Sequence, residues 1–128
     1  MNILILTGKF GMGHLSAANA LQEQLRHDGH RADTVDLFAY AMPELAPAMY
    51  GAFNLLVTFG GAFYNLYHVL TADSSGDNRG DGLLRALDTL LDEYQPDVVV
   101  STHPICSAAM SQYKEEGPSD LPLVTCVT

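Results

Sequence analysis

The chain opens on an unbroken apolar run, Ile3-Leu4-Ile5-Leu6-Thr7, closed by Gly8. A short run without alternation predicts a strand buried on both faces, as in a parallel sheet. Beyond the glycine-rich stretch Gly8 to Gly13 the period changes. Leu15, Ala18, Leu21 and Leu25 fall three or four apart, which predicts a helix starting near His14 and stopping before Asp28-Gly29. Arg31 to Leu37 alternates loosely and predicts a second strand that ends at Asp36. Strand, glycine turn, helix and strand make one βαβ unit, whose crossover rule dictates parallel pairing and right-handed connection.

Between Pro43 and Ala72, Met49, Phe53, Leu56, Phe59, Phe63, Leu66 and Leu70 recur at helical spacing, and Gly60-Gly61 interrupts them. This pattern predicts two short helices or one kinked helix. Ser74 to Gly82 is polar and glycine-rich and predicts a loop. Leu83, Leu84, Leu87, Leu90 and Leu91 predict an amphipathic helix that ends near Tyr94-Gln95, where Pro96 stops it. Asp97 to Thr102 reads as a third buried strand. His103-Pro104 turns it into a helix carrying Ile105, Ala108, Ala109 and Tyr113, and after the loop Gly117 to Asp120 a fourth strand is expected over Leu121 to Val127. Strands alternating with helices predict the α/β class: a three-layer Rossmann-like domain with a mainly parallel sheet of about four strands. At 128 residues the chain suits one domain, residues 1–128.

Charge narrows the choice of partners. Six basic residues against fifteen acidic ones give a formal charge of −9, and no Lys/Arg cluster exists, which excludes a nucleic-acid binder. From Leu45 to Ala72 there is no Asp, Glu, Lys or Arg. That stretch is long enough to cross a bilayer, but Pro47, Gly51, Asn54, Gly60, Gly61, Asn65 and His68 within an α/β pattern argue against a span. It is a packing face of the core, a dimer face, or an apolar patch that dips into lipid. Cys106 and Cys126 stand in no metal-ligand spacing and read as small apolar residues rather than a disulfide. Met1-Asn2 leads straight into the first strand without a signal-peptide pattern, so a cytoplasmic location is expected.

Open parallel sheets bind ligands outside the carboxyl ends of their strands. Three stretches meet there by topology: the turn Gly8–His14, Asp36 and Thr102-His103. The turn's glycines allow a sharp strand-to-helix bend and bare N–H groups at a helix N-terminus, which favours anionic or oxygen-rich ligands. Gly8-Lys9-Phe10 lacks the spacing of a phosphate-binding Walker loop. Gly11-Met12-Gly13-His14-Leu15-Ser16 partly matches a dinucleotide turn, with Asp36 where a ribose-binding acid would sit. A dinucleotide-binding module using Gly11, Gly13 and Asp36 is therefore one reading, although Gly8-Lys9-Phe10 lengthens the turn beyond that fingerprint.

A second reading absorbs more residues. Gly11-Met12-Gly13-His14 followed by Ala17, Ala18, Ala20 and Leu21 resembles a GxGHxxAAxAL signature. Val35-Asp36-Leu37, the aromatic segment with Tyr50, Phe53, Phe63, Tyr64 and Tyr67, and the stretches Pro96 to Pro104 and Leu123 to Thr128 continue the likeness. These features resemble the N-terminal domain of the monogalactosyldiacylglycerol synthase and processive diacylglycerol glucosyltransferase family.

The resemblance implies a family 28-type glycosyltransferase with the GT-B fold, whose N-terminal half receives the acceptor and whose C-terminal half binds the nucleotide-sugar. It implies glucose or galactose transfer from a UDP-sugar to diacylglycerol, with no obligatory metal and no other cofactor. The chain would then be an acceptor domain, inactive alone, in an enzyme resting on the inner face of the membrane through Leu45–Ala72. His14 is the expected base, since an imidazole titrates near neutrality and can take a proton from an acceptor hydroxyl. Gly11, Met12, Gly13, Asp36, Phe63, Tyr67, Thr102 and His103 are the expected acceptor-binding residues. For Asp36 a helix-capping role, and for His103 a turn role, stand beside that reading.

Overall fold

A computed structural model describes residues 1–9, 12–44, 46–48, 50–51, 79–117 and 119–127. In chain order its elements are β1 (Asn2–Thr7), α1 (Met12–His27), β2 (Arg31–Asp36), α2 (Leu37–Ala41), α3 (Arg79–Tyr94), β3 (Val98–Ser101), α4 (Pro104–Glu116) and β4 (Leu123–Thr125). The four strands form one sheet in the order β2-β1-β3-β4, and every pair is parallel.

β1 is central, and its side chains explain the layers. Ile3 and Ile5 point to one face, where Ala18 and Ala32 complete a buried cluster with Leu21, Leu25, Val98 and Val100 against it. Leu4 and Leu6 point to the other, joining Leu37, Phe38, Leu87, Leu90, Leu91, Val99, Cys106, Ala109 and Met110. The expected strand, apolar on both faces, is therefore what the fold uses, with α1 on one side and α2, α3 and α4 on the other. Each such leucine or isoleucine contributes about 1.5–3 kcal/mol relative to exposure.

Local signals set the boundaries. At the end of α1 the N–H groups of Gly29 and His30 reach the carbonyls of Arg26 (3.1 Å) and Leu25 (3.0 Å), and Gly29 sits at φ +91°. This is the left-handed turn that glycine accepts at little cost, and it satisfies two carbonyls left over by the helix. Arg26 and His27 in the last turn complement the helix dipole. α3 closes with Gln95 in the left-handed region, just ahead of Pro96.

Three expectations are corrected. Residues 79–82, read as loop, form the first turn of α3; a glycine costs a helix about 1 kcal/mol, and the leucine face of this helix offsets it. α2 was not expected. Asp36 caps it through the N–H groups of Phe38 and Ala39, and Leu37 and Phe38 are buried, so tertiary contact sustains five residues that propensity alone would not. β4 covers three residues rather than the seven from Leu121 to Val127, and Val124 and Val127 are exposed. Cys106 and Cys126 are both free thiols. Among the described residues no helix is long and apolar enough to cross a membrane. Most of Leu45–Ala72, including its expected helices, lies outside the described residues.

Candidate functional site

β2 and β3 lie on opposite sides of β1, so the chain's connections diverge between β1 and β3. At such a divergence a parallel sheet binds its ligands, outside the carboxyl ends of the two strands. Thr7 ends β1, Thr102 and His103 follow β3, and Gly13 and His14 open α1 above them.

Two residues that are 88 positions apart hold this end together. His14 Nδ1 lies 2.7 Å from the carbonyl oxygen of Thr102. The Thr102 hydroxyl in turn lies 3.0 Å from the carbonyl of His14 and 2.9 Å from the hydroxyl of Thr7. Thr102 N–H donates to the Leu6 carbonyl at 3.0 Å, fixing the residue to β1. Thr7 and Thr102 are fully buried and His14 is half-buried. At Gly13 a side chain would meet no atom within 4 Å, so the first turn of α1 has room beside it.

His103 is only 1% exposed. It caps α4: its Nδ1 accepts the N–H of Ile105 at 3.1 Å, and Pro104 takes the first helical position. Its ring meets His14 edge-on, with centroids 4.5 Å apart, and Phe38 lies 5.9 Å away. Burial, and secondarily the neighbouring His14, push its pKa down to about 4. Ser101 donates to the His103 carbonyl (2.8 Å), and the Ser107 hydroxyl bridges Ser101 (2.9 Å) and Thr125 (3.2 Å). A line of hydroxyls thus crosses the carboxyl ends of β3 and β4.

At the end of β2, Asp36 Oδ1 accepts the N–H groups of Phe38 and Ala39 and the hydroxyl of Tyr50. Burial and this hydrogen bond raise the Tyr50 pKa, with a backbone hydrogen bond from Lys9 acting the other way. Tyr50 therefore ties the uncharged stretch both to β2 and to the turn after β1. Asp36 Oδ2 is buried and has no hydrogen-bond partner among the described residues, so neither oxygen is presented for a dinucleotide ribose. The capping role is the one the structure gives Asp36.

Of the residues expected at the site, Gly13, His14, Thr102 and His103 come together. Asp36 lies one strand away, linked through Phe38. Gly11, Phe63, Tyr67 and the Met12 side chain lie outside the described residues. Sequence reading missed Thr7, Ser101, Ser107 and the Tyr50–Asp36 bond. Thr7 was findable, since parallel register sets it opposite Asp36 at the same edge of the sheet. Among the described residues no three His, Cys, Asp or Glu side chains are grouped to hold a metal ion.

Residues 14–128 match the family model of monogalactosyldiacylglycerol (MGDG) synthase. The chain is 28% identical over 109 residues to a processive diacylglycerol beta-glucosyltransferase of Bacillus subtilis, covering 80% of this chain and 28% of that protein. It is 27% identical over 132 residues to the protein of the same name from Bacillus cereus (strain B4264), covering 98% of this chain and 33% of that one. The chain thus spans about a third of the length of the curated relatives it matches. No solved structure matches.

Proposed function

Because the chain belongs to the monogalactosyldiacylglycerol synthase family, we propose that it is the acceptor-binding domain of a glycosyltransferase that moves glucose or galactose from a UDP-sugar to diacylglycerol. One observation carries the reading: a half-buried imidazole, His14, is held 2.7 Å from the Thr102 carbonyl at the carboxyl ends of β1 and β3, where a parallel sheet places its ligands. The reaction asks for a base at that point. The acceptor hydroxyl oxygen bonds to the anomeric carbon, the bond from that carbon to the phosphate oxygen breaks, and UDP departs with the electron pair. His14 takes the hydroxyl proton as the oxygen attacks.

The room beside Gly13 and the N-terminus of α1 suit the oxygens of a glycerol-like head group. Gly11, Met12, Thr102 and His103 complete that region on this reading. The uncharged stretch Leu45–Ala72, with Phe63 and Tyr67, receives the acyl chains and meets the inner face of the membrane by apolar insertion, because a charge of −9 gives no attraction to anionic lipid. The UDP-sugar is held by a second domain, in keeping with relatives about three times as long. The 128 residues alone turn over no UDP-sugar.

His14→Ala in the longer protein tests this. General-base loss lowers turnover about 10²- to 10⁴-fold with unchanged thermal unfolding. Unaltered turnover in a folded variant overturns the assignment. Titration with NAD(H) separates the dinucleotide reading, which requires tight binding.

A further inference from the structure

A histidine acts as a base through one ring nitrogen, and which one is decided by what the other nitrogen touches. We propose that Thr102 is the positioning residue that fixes the tautomer of His14, making Nε2 the nitrogen that takes the acceptor's proton. The inference rests on His14 being the base and adds what sets its state.

The chemistry of the partner decides the tautomer. A backbone carbonyl only accepts, so at 2.7 Å from the Thr102 oxygen His14 Nδ1 must carry the hydrogen. The lone pair is then on Nε2. This is not the tautomer an imidazole side chain prefers in water, so the protein has to impose it. It does so through a reciprocal pair of contacts. The Thr102 carbonyl holds the His14 ring, while the Thr102 hydroxyl holds the His14 carbonyl at 3.0 Å. The Thr7 hydroxyl at 2.9 Å and the Leu6 carbonyl at 3.0 Å fix Thr102 itself to β1. Ring and backbone of the same histidine are thus referred to one buried residue, leaving the imidazole little freedom to turn.

His103 supplies an internal contrast. Its Nδ1 accepts the Ile105 N–H, so its hydrogen is on Nε2. Two imidazoles with centroids 4.5 Å apart therefore carry opposite tautomers.

Nitrogen-15 NMR of the imidazole rings reads this directly in the 128-residue chain. His14→Gln and His103→Asn identify the two spectra. In their neutral forms His14 is expected as the Nδ1–H tautomer and His103 as the Nε2–H tautomer. Thr102→Val keeps the carbonyl and the shape but removes the hydroxyl, and is expected to turn His14 into a tautomer mixture. Thr102→Ser restores the hydroxyl and the single form. In the longer protein the same valine variant lowers kcat between about ten- and a hundredfold, and serine recovers it. A wild-type His14 in the Nε2–H form overturns the proposal, whether or not the valine variant folds. So does a folded valine variant whose His14 stays wholly in the Nδ1–H form. The spectra do not depend on turnover: an Nδ1–H His14 together with a fully active His14→Ala enzyme would sink the catalytic reading and leave the positioning intact.

Discussion

Replacing His103 with asparagine separates the stability of this fold from one buried proton. In the folded chain the imidazole is held neutral, with its pKa pushed from 6.5 down to about 4 by burial and by His14. In the unfolded chain it titrates near the ordinary value. Above pH 6.5 neither state is protonated and the group's contribution is intact. As pH falls below 6.5 the unfolded chain binds a proton that the folded chain refuses until about pH 4. Stability is therefore lost on acidification across that window, and the difference of roughly 2.5 pH units corresponds to about 3 kcal/mol. Protonation also places a hydrogen on the nitrogen that accepts Ile105 N–H, at the positive end of α4. Asparagine remains a good cap and does not titrate in this range. Urea unfolding followed by circular dichroism, at steps between neutral pH and pH 4, should show wild type losing about 3 kcal/mol more than His103→Asn. The lost ring packing adds an offset to the variant that is the same at every pH, and the carboxylates titrate in both chains. Two curves that stay parallel across the window would refute the reasoning.

Asp36→Ala removes the cap of α2 and the partner of the Tyr50 hydroxyl, and should cost about 1–2 kcal/mol in urea unfolding, while Asp36→Asn retains most of the cap. Gly29→Ala places a Cβ on a residue at φ +91° and should destabilise by more than about 1 kcal/mol; Gly29→Asn, which tolerates that region better, recovers part of the loss in the same assay.

What sequence reading captured was local or topological. β1 was legible because four aliphatic residues in a row leave no solvent face. α1 was legible because its apolar spacing ends at a glycine that the turn requires. The meeting of the carboxyl ends of β1 and β3 followed from the parallel order, and the nearness of His14 to His103 was located that way. The family resemblance, carried by motifs from Gly11 to Thr128, is matched by the family model over residues 14–128. Other features rest on contacts no local pattern encodes. α2 exists because Leu37 and Phe38 are buried under the sheet. The first turn of α3 forms in spite of Gly80 and Gly82. The Thr102 contact with His14 joins positions 88 apart, and the Tyr50 bond to Asp36 joins positions 14 apart, so neither leaves a trace in spacing.

The separation between His14 and Thr102 bears on how the domain assembles. Contacts close in sequence form early, and those that close long loops form late, because the loop's entropy is lost before the contact is gained. β1, α1 and β2 come from the first 36 residues and can associate among themselves. They contain the glycine turn and the histidine but not the carbonyl that orients it. A chain stalled at that stage, or one emerging from the ribosome, lacks the Thr102 carbonyl that His14 Nδ1 meets in the folded domain. The contact between His14 and Thr102 can form only once β3 docks beside β1, so the ordering of the His14 ring during refolding is expected to follow that long-range pairing rather than the first helix.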